Sequence, residues 1–365
     1  MNDDRISVTD SSAGPVTASG PLAGPAKQSR RRFLGVGAAV GVGVWVTPQL
    51  RSLPSAWQAA GASPTTSGGG GTAFVAVSGA GTVFRSVDNG VNWTAAPNQP
   101  PGESNLYAVA ASGSNLVTVD DTAKFFMSAD DGISWAVAGT QPLDSGFNRL
   151  ASNGANFVAV GNAGKVAISA DYGNTWAAAA TTPTGPFAPW LYSVASNGST
   201  FVAGDTSGKV YRSVDNGLNW VAVTTQPGGS AMFLGMASNG TNFVAVDDSG
   251  KAYTSSDNGV NWLPSVTQPV GVSRLYSVAS NGAQFVTVGR DGKIFTSSDN
   301  GANWTSTTGP TIDYLFAVAS NGSTFVATGD LGLAFRSTDN GVTWAASTTQ
   351  PAGFDTSYLQ DVAFG

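Results

Sequence analysis

The residues with the most chemical potential in this chain are the ones that depart from its own repetition. They are four carboxylates, Glu103, Asp144, Asp313 and Asp355; three arginines, Arg149, Arg274 and Arg290; and three aromatic residues, Phe187, Trp190 and Tyr314. The carboxylates are weak candidates for catalysis, and the arginines and rings are candidates for ligand binding. Carboxylates supply acid–base chemistry, arginines orient anionic groups, and an exposed ring on a stiff loop stacks on a sugar or a peptide. The rest of the composition removes most other chemistry. The chain has no His and no Cys, which excludes the Ser-His-Asp triad, His general bases, thiolate nucleophiles and Cys-type zinc sites. No cofactor is expected, and no metal. The adjacent pairs Asp120/Asp121 and Asp247/Asp248 suit a hard cation but form no recognised calcium loop.

Stepping along the chain shows what must hold these residues in place. The sequence S-x-D-x-G-x-x-W occurs seven times, with its Asp at Asp88, Asp130, Asp171, Asp215, Asp257, Asp299 and Asp339. The steps of 40 to 44 residues match the size of a four-stranded propeller blade. Between markers lie short β-branched and aromatic runs, such as Leu191–Ala195 and Phe201–Ala203, separated by Asn-Gly and Ser-Gly turns. These runs are too short for helices. The first unit opens at what would be its second strand, Thr72–Val77, and Tyr358–Phe364 matches a first strand with no partner of its own. The expected fold is therefore an all-β, seven-bladed propeller of four-stranded antiparallel blades. Pairing the C-terminal strand with the N-terminal blade closes the ring and protects the sheet edges.

The marker is the Asp box, and residues 72–365 resemble the Asp-box (BNR-type) propellers typified by the sialidases. In the marker turn, the Asp and Ser side chains are suited to bonding backbone amides, the Gly permits a positive φ, and the Trp ring packs beneath with its N–H on an acceptor. Seven copies imply a structural part. In an up-and-down blade the two-to-three turns share one face with the inter-blade loops, and the marker turns share the other with the one-to-two turns. The resemblance places a ligand on the inter-blade-loop face, over the channel. Tyr107, Tyr192, Tyr276 and Phe316 occupy one repeat position and read as packing between blades. Trp190 is the one Trp outside both the markers and the N-terminal region, and it ends a proline-broken loop from Thr181. It reads equally as a ligand anchor or as a plug against the next blade.

Sialidase-like chemistry would need three arginines on a carboxylate, a Tyr activated by a Glu, and an Asp acid. Only Arg149, Arg274 and Arg290 are expected on that face, Glu103 is the sole Glu, and the family's F-R-I-P sequence is absent. Related glycanases use two Asp, for which Asp144, Asp313 and Asp355 are the candidates; an inverting pair would stand roughly 6.5–9.5 Å apart. The chain is also similar to the seven-bladed propeller that assists photosystem II assembly, which implies a protein-binding scaffold.

The N-terminal residues read as an address. Ser29-Arg30-Arg31-Arg32-Phe33-Leu34 precedes a weakly apolar run of about a dozen residues and resembles a twin-arginine signal. The expected organisation is a signal region over 1–62, cleaved after Ala60-Gly61-Ala62, a Ser/Gly linker over 63–71 and a propeller over 72–365. Export would be to the periplasm or the extracellular space, with membrane contact only through an uncleaved signal. The mature part carries 6 Arg and 5 Lys against 19 Asp and 1 Glu, a net charge of −9, which argues against nucleic acid. The reading reached is a monomeric, non-catalytic propeller for a glycan or an extracytoplasmic protein, with glycoside hydrolysis as the rival.

Overall fold

The computed structural model describes residues 71–102, 104–142, 146–184, 188–351 and 358–365. Within them the chain forms seven four-stranded antiparallel sheets. Blade 1 combines β28 (Leu359–Phe364) with β1 (Phe74–Ser78), β2 (Val83–Ser86) and β3 (Thr94–Ala95). The closing strand pairs in register from Phe74 with Phe364 to Val77 with Asp361. The other inner strands, leading blades 2 to 7, are β4 (Leu106–Ser112), β8 (Phe147–Ser152), β12 (Leu191–Ser196), β16 (Phe233–Ser238), β20 (Leu275–Ser280) and β24 (Leu315–Ser320). The architecture expected from the repeat, including the shared blade, is the one observed.

Burial follows from the layering. A middle strand such as β13 (Phe201–Asp205) has a neighbouring blade on each face, and all five of its residues are buried. The outermost strand of each blade is two or three residues long and largely exposed, as in β15 (Val221–Ala222). Apolar clusters form between adjacent blades: Ala195, Val202 and Val210 meet Phe233, Phe243 and Trp262 of the next blade. Stacking therefore buries apolar faces that no single blade could cover.

The S-x-D-x-G-x-x-W turns are bonded alike in every blade. In blade 4, Ser213 Oγ donates to Asp215 Oδ1 (2.8 Å) and accepts from the Gly217 amide (3.1 Å). Asp215 also takes the Asn219 amide (2.9 Å) and side chain (2.8 Å). The residue before the Gly is left-handed in all seven turns, for example Asn216 at φ 60°, and the Gly follows at φ 86°. Five of the seven Trp indoles donate to the carbonyl of their own turn Gly, as Trp220 does to Gly217 (2.7 Å). Trp93 and Trp304 instead donate to Ser347 and Ser265, whose hydroxyls in turn donate to the Gly90 and Gly301 carbonyls.

Blades are also tied laterally on this face. Asn153, Asn197, Asn239, Asn281 and Asn321, in the one-to-two turns, each donate to an Asn of the next blade's marker turn at 2.7–3.0 Å. Arg85 and Arg212 donate Nε to the Asp131 and Asn258 carbonyls of the next blade.

Candidate functional site

The opposite face is built on a repeated irregularity. Every inner strand carries a bulge at its second residue, so that Leu191 pairs with Asp205 and Ser193 with Gly204 while Tyr192 is left out of register. A bulge bends the strand and re-aims the side chain. The bulge residues around the ring are Tyr107, Asn148, Tyr192, Leu234, Tyr276, Phe316 and Gln360. Two residues earlier, just before each inner strand, stand Asn105, Gly146, Trp190, Met232, Arg274, Tyr314 and Tyr358. The loop side of the inner strands therefore carries two tiers, of which the upper one changes character from one part of the ring to another. It is small or polar in blades 2 and 3, and apolar, aromatic or cationic in blades 4, 5, 6, 7 and 1.

Ring contacts join the richer part of that arc. Tyr276 meets Phe316 edge-on at 5.3 Å between centroids and Tyr314 at 6.2 Å. Phe316 meets Tyr358 at 5.9 Å, and Leu234 and Met232 extend the cluster into blade 5. The Arg290 guanidinium lies 5.4 Å over the Tyr314 ring, a cation–π arrangement. Arg290 Nε is 3.7 Å from Asp291, and Arg274 Nη2 is 3.7 Å from Asp248 in blade 5. Trp190 is half-buried and stacked on Tyr192, 6.5 Å away at 28°, with Met232 and Leu234 in the blade between it and Arg274. Arg274, Arg290 and Tyr314 are thus brought together, and Trp190 shares their tier two blades away.

Arg149 belongs elsewhere. The sequence reading put it in an inter-blade loop, but it is the third residue of β8 and 1% exposed. Its Nη1 donates to the Asn148 carbonyl at 2.7 Å, while Nε and Nη2 have no hydrogen-bond partner. Burial lowers its pKa to about 10, against the pull of Asp361. Asp361, in β28, is buried as well and pushed up to about 7, although Arg149 and the Val109 and Val362 amides oppose this. Arg149 is out of a surface ligand's reach.

The carboxylates divide. Asp313 is half-buried and accepts from Thr311 Oγ1 at 2.7 Å. Asp330, which sequence reasoning missed, is raised above the usual carboxyl range by burial, and Asp313 adds to the rise. The two share blade 7, and the sequence signal was Asp330's place in a two-to-three turn on the same face. Glu103, Asp144, Asp355 and Phe187 lie outside the described residues. Asp120 and Asp247, the first members of the adjacent pairs, each accept two backbone amides of their own two-to-three turn. Of the second members, Asp121 accepts from Asn105 and Asp248 from the Met232 amide. Among the described residues no group of three or more carboxylates converges on one point. Burial raises the pKa of Tyr107, Tyr192 and Tyr276, the opposite of what an activated phenolate nucleophile needs.

Fold and face together define a class: a seven-bladed β-propeller closed by its terminal strands, uniform on one face and differentiated on the other. Residues 243–364 match the family described as the DUF6242 beta propeller domain. Among solved structures, YCF48 bound to a D1 peptide is similar at 20% identity and TM-score 0.53, over 68% of this chain and 82% of that one. YCF48 from Cyanidioschyzon merolae is 16% identical with TM-score 0.53, over 72% and 95%. A Bacteroides uniformis protein, provisionally assigned as a 6-phosphogluconolactonase, is 14% identical with TM-score 0.61, over 80% and 99%. At these identities the likeness is one of fold. No curated protein matches the chain.

Proposed function

We propose that this protein is an exported, non-catalytic Asp-box propeller that binds an extended segment of a partner protein on its inter-blade-loop face. Tyr314, Tyr358 and Trp190 would serve as anchors, and Arg274 and Arg290 would orient carboxylates of the ligand. The observation that carries this reading is the joined arc of Tyr276, Tyr314, Phe316 and Tyr358 with Arg290 over Tyr314. Aromatic and arginine side chains are the types that dominate binding hot spots, and Arg290, Tyr314 and Tyr358 stand where the repeat is broken. The likeness of the fold to YCF48, one structure of which holds a D1 peptide, favours a peptide over a glycan. The test is side-by-side peptide and glycan arrays probed with the purified protein and its Arg290→Ala and Trp190→Ala variants. Selective peptide binding weakened by Arg290→Ala supports the reading; glycan binding alone overturns it. Export is tested separately, by replacing Arg30 and Arg31 with Lys and locating the protein.

A second reading, glycoside hydrolysis, has one observation in its favour. Burial raises Asp330 and Asp313 adds to the rise, as expected for one member of an acid–base carboxylate pair. Hydrolysis of an array glycan, abolished in Asp330→Asn, would establish it.

A further inference from the structure

In five blades a glutamine completes the outer edge of the sheet. In blade 1 the Val83 amide donates to Gln99 Oε1 at 2.7 Å, and Gln99 Nε2 donates to the Val83 and Ala96 carbonyls at 3.0 and 2.9 Å. The side-chain amide thus continues the ladder where the outer strand has ended. Gln141, Gln226, Gln268 and Gln350 take the same amide in blades 2, 4, 5 and 7, each sixteen residues after its partner. Two blades lack this glutamine. Blade 6 has Pro310 there and compensates with backbone: its outer strand, β23 (Thr305–Thr307), gains a residue, and Thr307 pairs with Ile294.

Blade 3 has Thr182 at this place and makes no such compensation. Its outer strand, β11 (Ala177–Ala178), keeps the usual two residues. The Val166 carbonyl accepts from the Ala179 amide at 3.0 Å, so the Val166 N–H points to the same side. Val166 is 3% exposed, and among the described residues no acceptor takes that N–H. A buried, unpaired backbone donor is costly, and a native fold rarely leaves one unsatisfied. At this spot a cavity of about 530 Å³ opens, lined by Pro142, Phe147, Val166, Trp176 and Thr182 among others.

We infer that this cavity between blades 2 and 3 is a binding site for a small aromatic carboxamide. Its carbonyl would accept from Val166 N–H, and its NH2 would donate to the Val166 carbonyl, the two bonds Gln99 makes to Val83. The volume lies in the range of small-molecule sites and exceeds what a glutamine side chain fills. The surplus is walled by Phe147, Trp176 and Pro142, which suits a flat ring behind the amide. The site stands apart from the arc in blades 4 to 1 and does not depend on a peptide binding there.

The test is titration of the 15N-labelled protein with benzamide, following the Val166 amide resonance, with benzoate as the control. Benzamide should shift Val166 saturably, and benzoate, which lacks the donor, should bind at least about tenfold more weakly. Thr182→Gln restores the glutamine of five other blades; it should raise the melting temperature and weaken benzamide at least about tenfold. A Val166 resonance unmoved by benzamide overturns the inference. So does equal affinity in the Thr182→Gln protein, or equal binding of benzoate.

Discussion

The two faces of the ring share one set of strands and one repeat, yet they differ in nearly every other respect. On the marker-turn face, Ser, Asp, Gly and Trp recur seven times with a Ser–Asp bond of 2.8–2.9 Å in every blade, and Asn side chains join blade to blade. On the loop face, the upper tier runs Asn105, Gly146, Trp190, Met232, Arg274, Tyr314, Tyr358, and only the last two share a residue type. The first pattern is what a part needs when it must do the same mechanical job in each blade. The second arises where position in the ring matters more than position in the repeat. Seven like turns hold the strands so that a varied set of residues can be presented above them.

That contrast can be broken from either side. The largest effect should come from Trp262→Ala. Its ring is 1% exposed between blades 4 and 5, and truncation should cost about 3–5 kcal/mol in urea unfolding. Asp215→Ala removes the acceptor for the Asn219 amide, the Asn219 side chain and the Ser213 hydroxyl, and should cost about 1–3 kcal/mol while leaving ligand affinity unchanged. If it abolished binding in a still-folded protein, the marker-turn face would not be purely structural.

Acid should sharpen the same division. Burial pushes the seven marker carboxyls up, but the bonds from the residue four positions on and from the Ser outweigh it, so all seven titrate below the ordinary value. A depressed folded pKa stabilises above the unfolded value and is lost as pH falls through the folded one. Unfolding midpoints should therefore decline below about pH 4 and hold from there toward neutrality as far as these groups are concerned. In Asp215→Asn the decline should be shallower. The smallest effect on the fold belongs to the loop face. Arg290→Ala should change stability by no more than about 0.5 kcal/mol yet weaken peptide binding about tenfold. A matched loss of stability and binding would mean that Arg290 holds the face together rather than contacting a ligand.

Blade number, strand order and closure could all be read from the sequence, because spacing and turn residues repeat and a strand missing at one end is present at the other. The loop face was legible only in outline. Arg274, Arg290 and Tyr314 stood out as breaks in the repeat, and they do lie together. Arg149 stood out in the same way but is buried in β8, because a departure from the repeat does not say whether a position is in a strand or before it. The bulge at the second residue of each inner strand has no local signature, so the two tiers it separates could not be seen. The glutamine after five of the outer strands stands in the sequence as a recurring Gln-Pro pair, but its partner lies sixteen residues back, beyond any local pattern. Asp330 was overlooked because its neighbour Asp313 lies in a separate loop, brought near only by the folded blade.

The pairing of β1 with β28 also bears on how the molecule comes into being. Phe74 waits for Phe364, so the first blade cannot be finished until nearly the whole propeller has left the ribosome. Until then β1 presents an unpaired edge, and blades 2 and 7 lack the packing that Ala363, Leu359 and Val362 of β28 provide, a state open to misassembly. Contacts this distant in sequence also make closure the slow event of folding. Closure is therefore left to the last strand of the propeller to be synthesised, and removing that strand should leave an open, aggregation-prone arc instead of a smaller ring.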